Sequence, residues 1–239
     1  MSNLVLFLVC ARNGSKGILN KNIVPLANRP LIHHTLDFLN GCDFKQHLVL
    51  STDGDPIAKC CSDKVDWVLD RPAELATDEA GRYPVLTHAV KSAEAHFGLK
   101  YDYIFDFLGT APFRRRVDLE ACYRLIQDPL VSNVITAVPS HRNPYFNMVE
   151  CGPHGAPQVV KNIGSILRRQ DAPKTYDMNG SIYAWKRDTL LNNSALFSEH
   201  TRMHIMPPET GIDIDTEFDL TLANFMLSQP IFLNSSELL

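Results

Sequence analysis

Residues 10–22 read CARNGSKGILNKN and set three cations, Arg12, Lys16 and Lys21, around Gly14, Ser15 and Gly17. Glycine lets backbone N–H groups turn toward a ligand and approach it closely, and clustered cations neutralise an anion. The chemistry these types suggest is the binding of a phosphate chain. The spacing is neither GxxxxGK[ST] nor GxGxxG, so neither familiar phosphate fingerprint applies, and taken alone the same residues also suit a solvated loop. A second group is GIDIDTEFD. If it forms a strand, Asp213 and Asp215 share one face and Ile212 and Ile214 the other. Two carboxylates held together repel unless a cation lies between them, which points to Mg2+; two solvated aspartates on an edge strand are the alternative. Beside a triphosphate loop the metal reading gains weight, because nucleoside triphosphates arrive with Mg2+. A third group is NGSIYAW, with Asn179 and Tyr183, preceded by Arg168, Arg169 and Gln170. Guanidinium forks suit a carboxylate and the cluster suits an acidic sugar, although Asn-Gly is also common in turns.

These groups need a frame, and the hydrophobic pattern supplies one. Strand-like runs fall at 4–10, 47–51, 65–69, 103–107, 133–138, 180–185 and 211–216. Helical spacing falls at 30–41, 56–62, 83–97, 117–127 and 217–227. This alternation predicts an α/β fold with a mainly parallel sheet and helices on both faces. Ligands in such sheets sit beyond the carboxyl ends of the strands, where the 10–22 loop emerges. Between 139 and 178 the pattern breaks into prolines, glycines and alternating residues, which predicts short antiparallel hairpins forming an arm for a partner subunit. Asp53 and Asp55 are placed to cap the helix that follows. Trp67 and Trp185 lie in strand-like runs and are expected in the core.

The chain has 239 residues, 45% hydrophobic and 21% charged, with a net charge of −4. That suits a folded soluble domain and argues against a nucleic-acid binder. The apolar run at the start is too short for an export signal or a membrane span. The six cysteines contain no CxxC, and adjacent Cys60 and Cys61 offer poor disulfide and metal spacing, so reduced thiols in a cytoplasmic protein are expected. Nothing in the histidine spacing suggests a zinc site.

Taken in order, the motifs resemble those of the acylneuraminate cytidylyltransferases, the CMP-sialic acid synthetases. ARNGSKGILNKN resembles their nucleotide-binding signature; STDGDPIA, RPAELATDEA, TAPFR, NGSIY and IDIDTEFD resemble their later motifs in the same order. The resemblance implies a Rossmann-like nucleotidyltransferase fold, one domain over 1–239 with 139–178 as an inserted arm for dimerisation and the sugar site, and a homodimer. It implies transfer of CMP from CTP to a nine-carbon 2-keto acid sugar with release of pyrophosphate, assisted by Mg2+. By that likeness Ala11, Arg12, Asn13, Gly14, Ser15, Lys16, Lys21 and Asn22 would hold the nucleotide, with Arg71 and Arg82 flanking cytosine. Arg12, Lys16, Lys21 and Asp215 would be catalytic, and Asp213 and Asp215 would hold the metal. Asp106, Thr110, Arg169, Gln170, Asn179 and Tyr183 would face the sugar. In FDFLGTAPFR, Leu108 stands where the family has a polar glutamine; with GRYP at 81–84 and RRQDAPKTYDMN at 168–179, this looks like the branch acting on legionaminic acid. The rival readings are a nucleotidyltransferase for an octulosonate or a sugar 1-phosphate, and a non-catalytic nucleotide-binding subunit.

Overall fold

The computed structural model describes residues 3–14, 17–164, 166–192 and 195–229. In chain order the strands are β1 (Val5–Cys10), β2 (Pro25–Leu26), β3 (Arg29–Pro30), β4 (His47–Thr52), β5 (Trp67–Asp70) and β6 (Tyr103–Phe107). They continue as β7 (Asn133–Pro139), β8 (Val149–Cys151), β9 (Pro157–Val159), β10 (Tyr176–Lys186) and β11 (Thr201–Ile205). The helices are α1 (Leu31–Asn40), α2 (Asp55–Cys61), α3 (Arg82–Phe97), α4 (Arg116–Ile126), α5 (Arg187–Asn192) and α6 (Glu217–Ser228).

A seven-stranded sheet runs in the order β11-β7-β10-β6-β1-β4-β5. The ladders β1–β4, β1–β6, β4–β5 and β7–β11 are parallel. β10 runs antiparallel to both β6 and β7, with a register shift between Met178 and Tyr183. β1 is apolar throughout because both of its faces are covered. Val5, Phe7 and Val9 face one layer with residues of α1, α2 and α4, while Leu6 and Leu8 face the other with α3 and α5. Trp185 is buried in that second layer.

A third apolar cluster sits apart from the sheet faces. Ile18 from the 10–22 loop, Leu26, Leu31, Phe113, Ile214 and the inner side of α6 pack together. This cluster ties the loop after β1 to the segment carrying Asp213 and Asp215. α6 begins with a capping box: the Thr216 hydroxyl accepts from the Asp219 N–H, and the Asp219 carboxylate accepts from the Thr216 N–H at 2.8 Å and the Asp215 N–H at 3.1 Å.

Two expectations change. Residues 211–216 are not a strand: a 3-10 turn (Pro208–Gly211) precedes them, α6 follows at once, and Ile214 N–H bonds to Thr110 O at 2.9 Å. The alternation survives without a ladder, because Ile214 is buried in the third cluster while Asp213 and Asp215 turn to the other side. The strand at that edge of the sheet is instead β11, which has no buried apolar residue. Met203 and Ile205 are exposed, whereas Thr201 bonds to Asn133 at 2.9 Å and His204 to the buried carboxylate of Asp118 at 2.8 Å. Between β7 and β10 the chain leaves the sheet and returns beside its exit, Tyr176 opposite Pro139. Within this excursion β8 and β9 form an antiparallel hairpin, as the broken pattern predicts. No helix among the described residues is long and apolar enough to cross a membrane.

Candidate active site

β1, β4, β5 and β6 run parallel, so their carboxyl ends share one edge, and the loops leaving them meet there. Ala11 N–H bonds to Ser51 O at 3.0 Å, and Asn13 N–H bonds to the Asp53 carboxylate at 2.8 Å. Asp53 therefore pins the loop, and the start of α2 at Gly54 has no side-chain cap. Gly14 takes a φ of 76°, and a Cβ on Gly17 would strike the carbonyl of Asp215. Only glycine lets the cationic loop lie against the acidic segment at that point.

The result is a cleft of about 500 Å³ lined by Arg12, Gly17, Lys21 and Asn22 from the first loop. Leu108, Gly109 and Thr110 line it from the turn after β6, together with Cys10, Asp213 and Asp215. Lys21 Nζ lies 2.5 Å from Asp215 Oδ1, and Arg12 is paired with Asp78 at 2.5 Å. Both described cations are thus held by carboxylates that an anionic ligand can replace. Asn22 Nδ2 donates to Arg12 O at 3.0 Å and fixes the curl of the loop. Ser15 and Lys16 lie outside the described residues.

Asp213 has an unusual setting. Burial, joined by the charge of Asp215, pushes its carboxyl up, while the Thr110 hydroxyl, Lys21 and Arg114 draw it back. Its Oδ1 is buried with no hydrogen-bond partner. A buried acceptor without a donor, beside a second carboxylate, is a hard oxygen set that fits a divalent cation such as Mg2+. Cys10 is no nucleophile here, since burial, then the Asp106 charge, push its thiol up to about 12.

Next to the cleft lies a buried charged group. Asp106 is fully buried on β6; Arg82 Nε donates to it at 2.7 Å, and the guanidinium stacks 4.7 Å over the ring of Tyr183. Burial lifts the Asp106 carboxyl and Arg82 lowers it again. Its Oδ1 has no partner either. Arg71 is buried with Nη2 on Ser51 O at 2.6 Å, so it braces the end of β4 instead of lining the cleft.

The residues singled out for the sugar separate into three places. Thr110 lines the cleft, while Asp106 and Tyr183 lie beside it. Asn179 is buried in the frame. Its Oδ1 accepts from Thr136 at 2.7 Å and from Ser181 N–H at 3.2 Å, and its Nδ2 donates to Thr210 O at 3.3 Å. It shapes the β10 irregularity, and its amide is occupied. Arg169 and Gln170 line a different cleft, of about 620 Å³, with Pro139, Ser140 and Tyr176; Arg169 donates to His141 O at 2.9 Å.

Sequence spacing does not reveal Arg114. It is fully buried and donates to Leu108 O at 2.5 Å, Ser181 O at 3.0 Å and the Thr35 hydroxyl at 2.7 Å. Burial pulls its pKa down to about 9, with Asp213 and Asp106 opposing, so it remains a cation at neutral pH. Its partners lie up to 79 residues away, and the only sequence signal is its place in TAPFR. A Cβ on Gly180, which has φ 61°, would strike the Leu108 side chain held by this arrangement.

A model of the family described as "Cytidylyltransferase" matches residues 6–144. The CMP-N,N'-diacetyllegionaminic acid synthase of Campylobacter jejuni is 38% identical over 226 residues, covering 94% of this chain and 95% of its own. The chain belongs to the cytidylyltransferase family. The Post-translational flagellin modification protein B of Campylobacter coli is 36% identical over the same shares of the two chains. Among solved structures, CMP:2-keto-3-deoxy-manno-octonic acid synthetase complexed with CTP aligns over 95% of this chain and 99% of its own, with a TM-score of 0.71 at 16% identity. At that identity the likeness speaks for the fold alone.

Arg114→Met keeps the volume but strips donors from two carbonyls and a hydroxyl, each costing about 1–3 kcal/mol when buried and unpaired. The urea midpoint is expected to fall by the equivalent of about 3 kcal/mol or more with an unchanged m-value. An unchanged midpoint would show that the turn after β6 holds without it.

Proposed function

We propose that this cytidylyltransferase transfers CMP from CTP to the anomeric hydroxyl of a nine-carbon 2-keto acid sugar of the legionaminic and sialic acid type, releasing pyrophosphate. The observation that carries the reading is the shared cleft: Arg12, paired with Asp78, and Lys21, paired with Asp215, line one crevice together with Asp213. In-line displacement at phosphorus asks the protein mainly for alignment and charge neutralisation. The anomeric oxygen bonds to the α-phosphorus, the bond to the bridging oxygen of pyrophosphate breaks, and the hydroxyl proton leaves for solvent or a carboxylate. Arg12 and Lys21 exchange their carboxylates for phosphate oxygens, and Asn22 keeps the loop curled around them. Asp213 and Asp215 would hold Mg2+, which when bound supplies Lewis-acid charge at the phosphates.

Leu108 supports the choice of sugar. It lines the cleft where an amide would offer hydrogen bonds, and a leucine favours a sugar with an acylamino group or deoxy carbon at that point. The relative at 38% identity is named for such a sugar. With CTP and Mg2+, pyrophosphate release is expected with legionaminic acid above sialic, pseudaminic and octulosonic acids. Release with octulosonic acid alone, or with none of them, would reject the acceptor.

Asp215→Asn is expected to lower kcat by at least about a hundredfold while changing the apparent CTP affinity less than tenfold, because the metal-held geometry matters most in the transition state. Equal losses in both, seen in single-turnover and binding measurements, would remove Asp215 from that role.

We further propose that the chain acts as a homodimer in which the 139–178 arm completes the partner's sugar site. Met148, Val149, Ile163 and Leu167 are exposed along the excursion, and Met148 lines one cleft with Met203 of β11. Arg169 and Gln170 lie outside the cleft of their own chain. Mixing Arg169→Ala with Asp215→Asn protomers tests this. Random two-fold pairing regenerates about a quarter of the sites intact if Arg169 acts across the interface, and none if it acts within its own chain.

A further inference from the structure

Away from the cleft, α1 and α2 bring together three soft donors. The ligand atoms of His33, Cys60 and Cys61 all lie within 4.8 Å of one another. His33 is on α1, and the two cysteines close α2. We propose that His33, Cys60 and Cys61 form a binding site for a thiophilic d10 cation such as Zn2+, clamping α2 onto α1.

The donor set decides the class of ion. Two thiolates and an imidazole suit Zn2+ and its heavier relatives, and the trio includes no carboxylate that would favour Mg2+. Tetrahedral zinc places such donors about 3.5–3.8 Å apart, so small side-chain rotations close the site. Cys60 and His33 are partly exposed, which leaves an entry path, while Cys61 is fully buried. All six cysteines are free thiols, and Cys42 and Cys122 are simply core residues. Cys60 and Cys61 differ in converging on a third donor from another helix.

Without the ion His33 has a structural task. Its Nε2 lies 2.9 Å from Cys60 O, an unpaired carbonyl at the end of α2, and 3.2 Å from Cys60 Sγ. Capping explains the histidine but not the approach of the second thiol. On binding, Cys60 and Cys61 each release a proton to solvent, and the imidazole hydrogen moves from Nε2 to Nδ1, leaving Nε2 free to ligate. Burial, with Cys60 next to it, pushes the Cys61 thiol up to about 12, so without the ion it stays neutral at pH 7.

The test uses the full chain freed of metal by a chelator. Cd2+ is expected to give a thiolate-to-metal absorption band that saturates at one ion per chain, and Zn2+ to raise Tm. Cys60→Ser should halve the band and remove most of the Tm rise. His33→Gln keeps a donor for the Cys60 carbonyl but is a poor zinc ligand, so its metal-free Tm should match the parent while affinity falls at least about tenfold. Should Cys61→Ser fail to fold, these two variants carry the test. An unchanged band and Tm rise in Cys60→Ser would place the ion elsewhere, on Cys10, Cys151 or the Asp213–Asp215 pair, and overturn the proposal. Full metal affinity in His33→Gln would overturn it equally.

Discussion

A single buried guanidinium holds the site together. Arg114 has no solvent contact, yet it reaches the turn after β6, the irregular middle of β10 and the middle of α1 in one set of bonds. Burying a cation is costly unless every donor finds an acceptor, so its position dictates those of its partners. Leu108, Gly109 and Thr110 enter the cleft because the Leu108 carbonyl is fixed from behind. Ser181 lies within the stretch where β10 departs from regular register, between Met178 and Tyr183. The buried arginine also lies near Asp106 and Asp213, and so offsets the two carboxylates with orphaned oxygens.

The opposite wall rests on apolar packing and not on charge. Ile18 and Ile214 meet in the small cluster beneath α6, bringing the cationic loop and the acidic segment to one place before any ligand arrives. Gly17 permits the final approach. The capping box then fixes the backbone at Asp215 as α6 begins. Burial does the positioning, and Arg12 and Lys21 are each paired with a carboxylate. This arrangement suits phosphoryl chemistry, where preset charges are worth more than a reactive side chain.

The sugar side is less self-contained. Its residues divide between the cleft, a buried charged neighbour and the excursion between β7 and β10. Asn179 shows why a motif is not a contact list: its amide is occupied by Thr136, Ser181 and Thr210. Its role is to hold the frame that leaves Tyr183 beneath Arg82. The excursion carries Arg169 and Gln170 into a cleft separate from the one that holds Asp213 and Asp215.

The sequence by itself determined the layered α/β frame and the sides of the cleft. Continuous apolar runs mark strands buried on both faces, and glycines among cations after the first strand mark the loop that walls the cleft, both signals local in the chain. It also told which of Ile214 and Asp215 would be buried, since apolar and charged residues alternate there, although no strand forms. β11 was hidden because its apolar residues Met203 and Ile205 are exposed while His204 reaches the buried Asp118, so no apolar alternation marks the strand. Only the tertiary structure decided what depends on distant partners: the antiparallel placement of β10, the reach of Arg114, the orphaned oxygens of Asp106 and Asp213, and the meeting of His33 with Cys60 and Cys61. Adjacent cysteines carry no metal-binding spacing of their own. The third donor sits 27 residues away and arrives only when α1 and α2 pack on the same face of the sheet, because burial, not sequence proximity, sets which side chains meet.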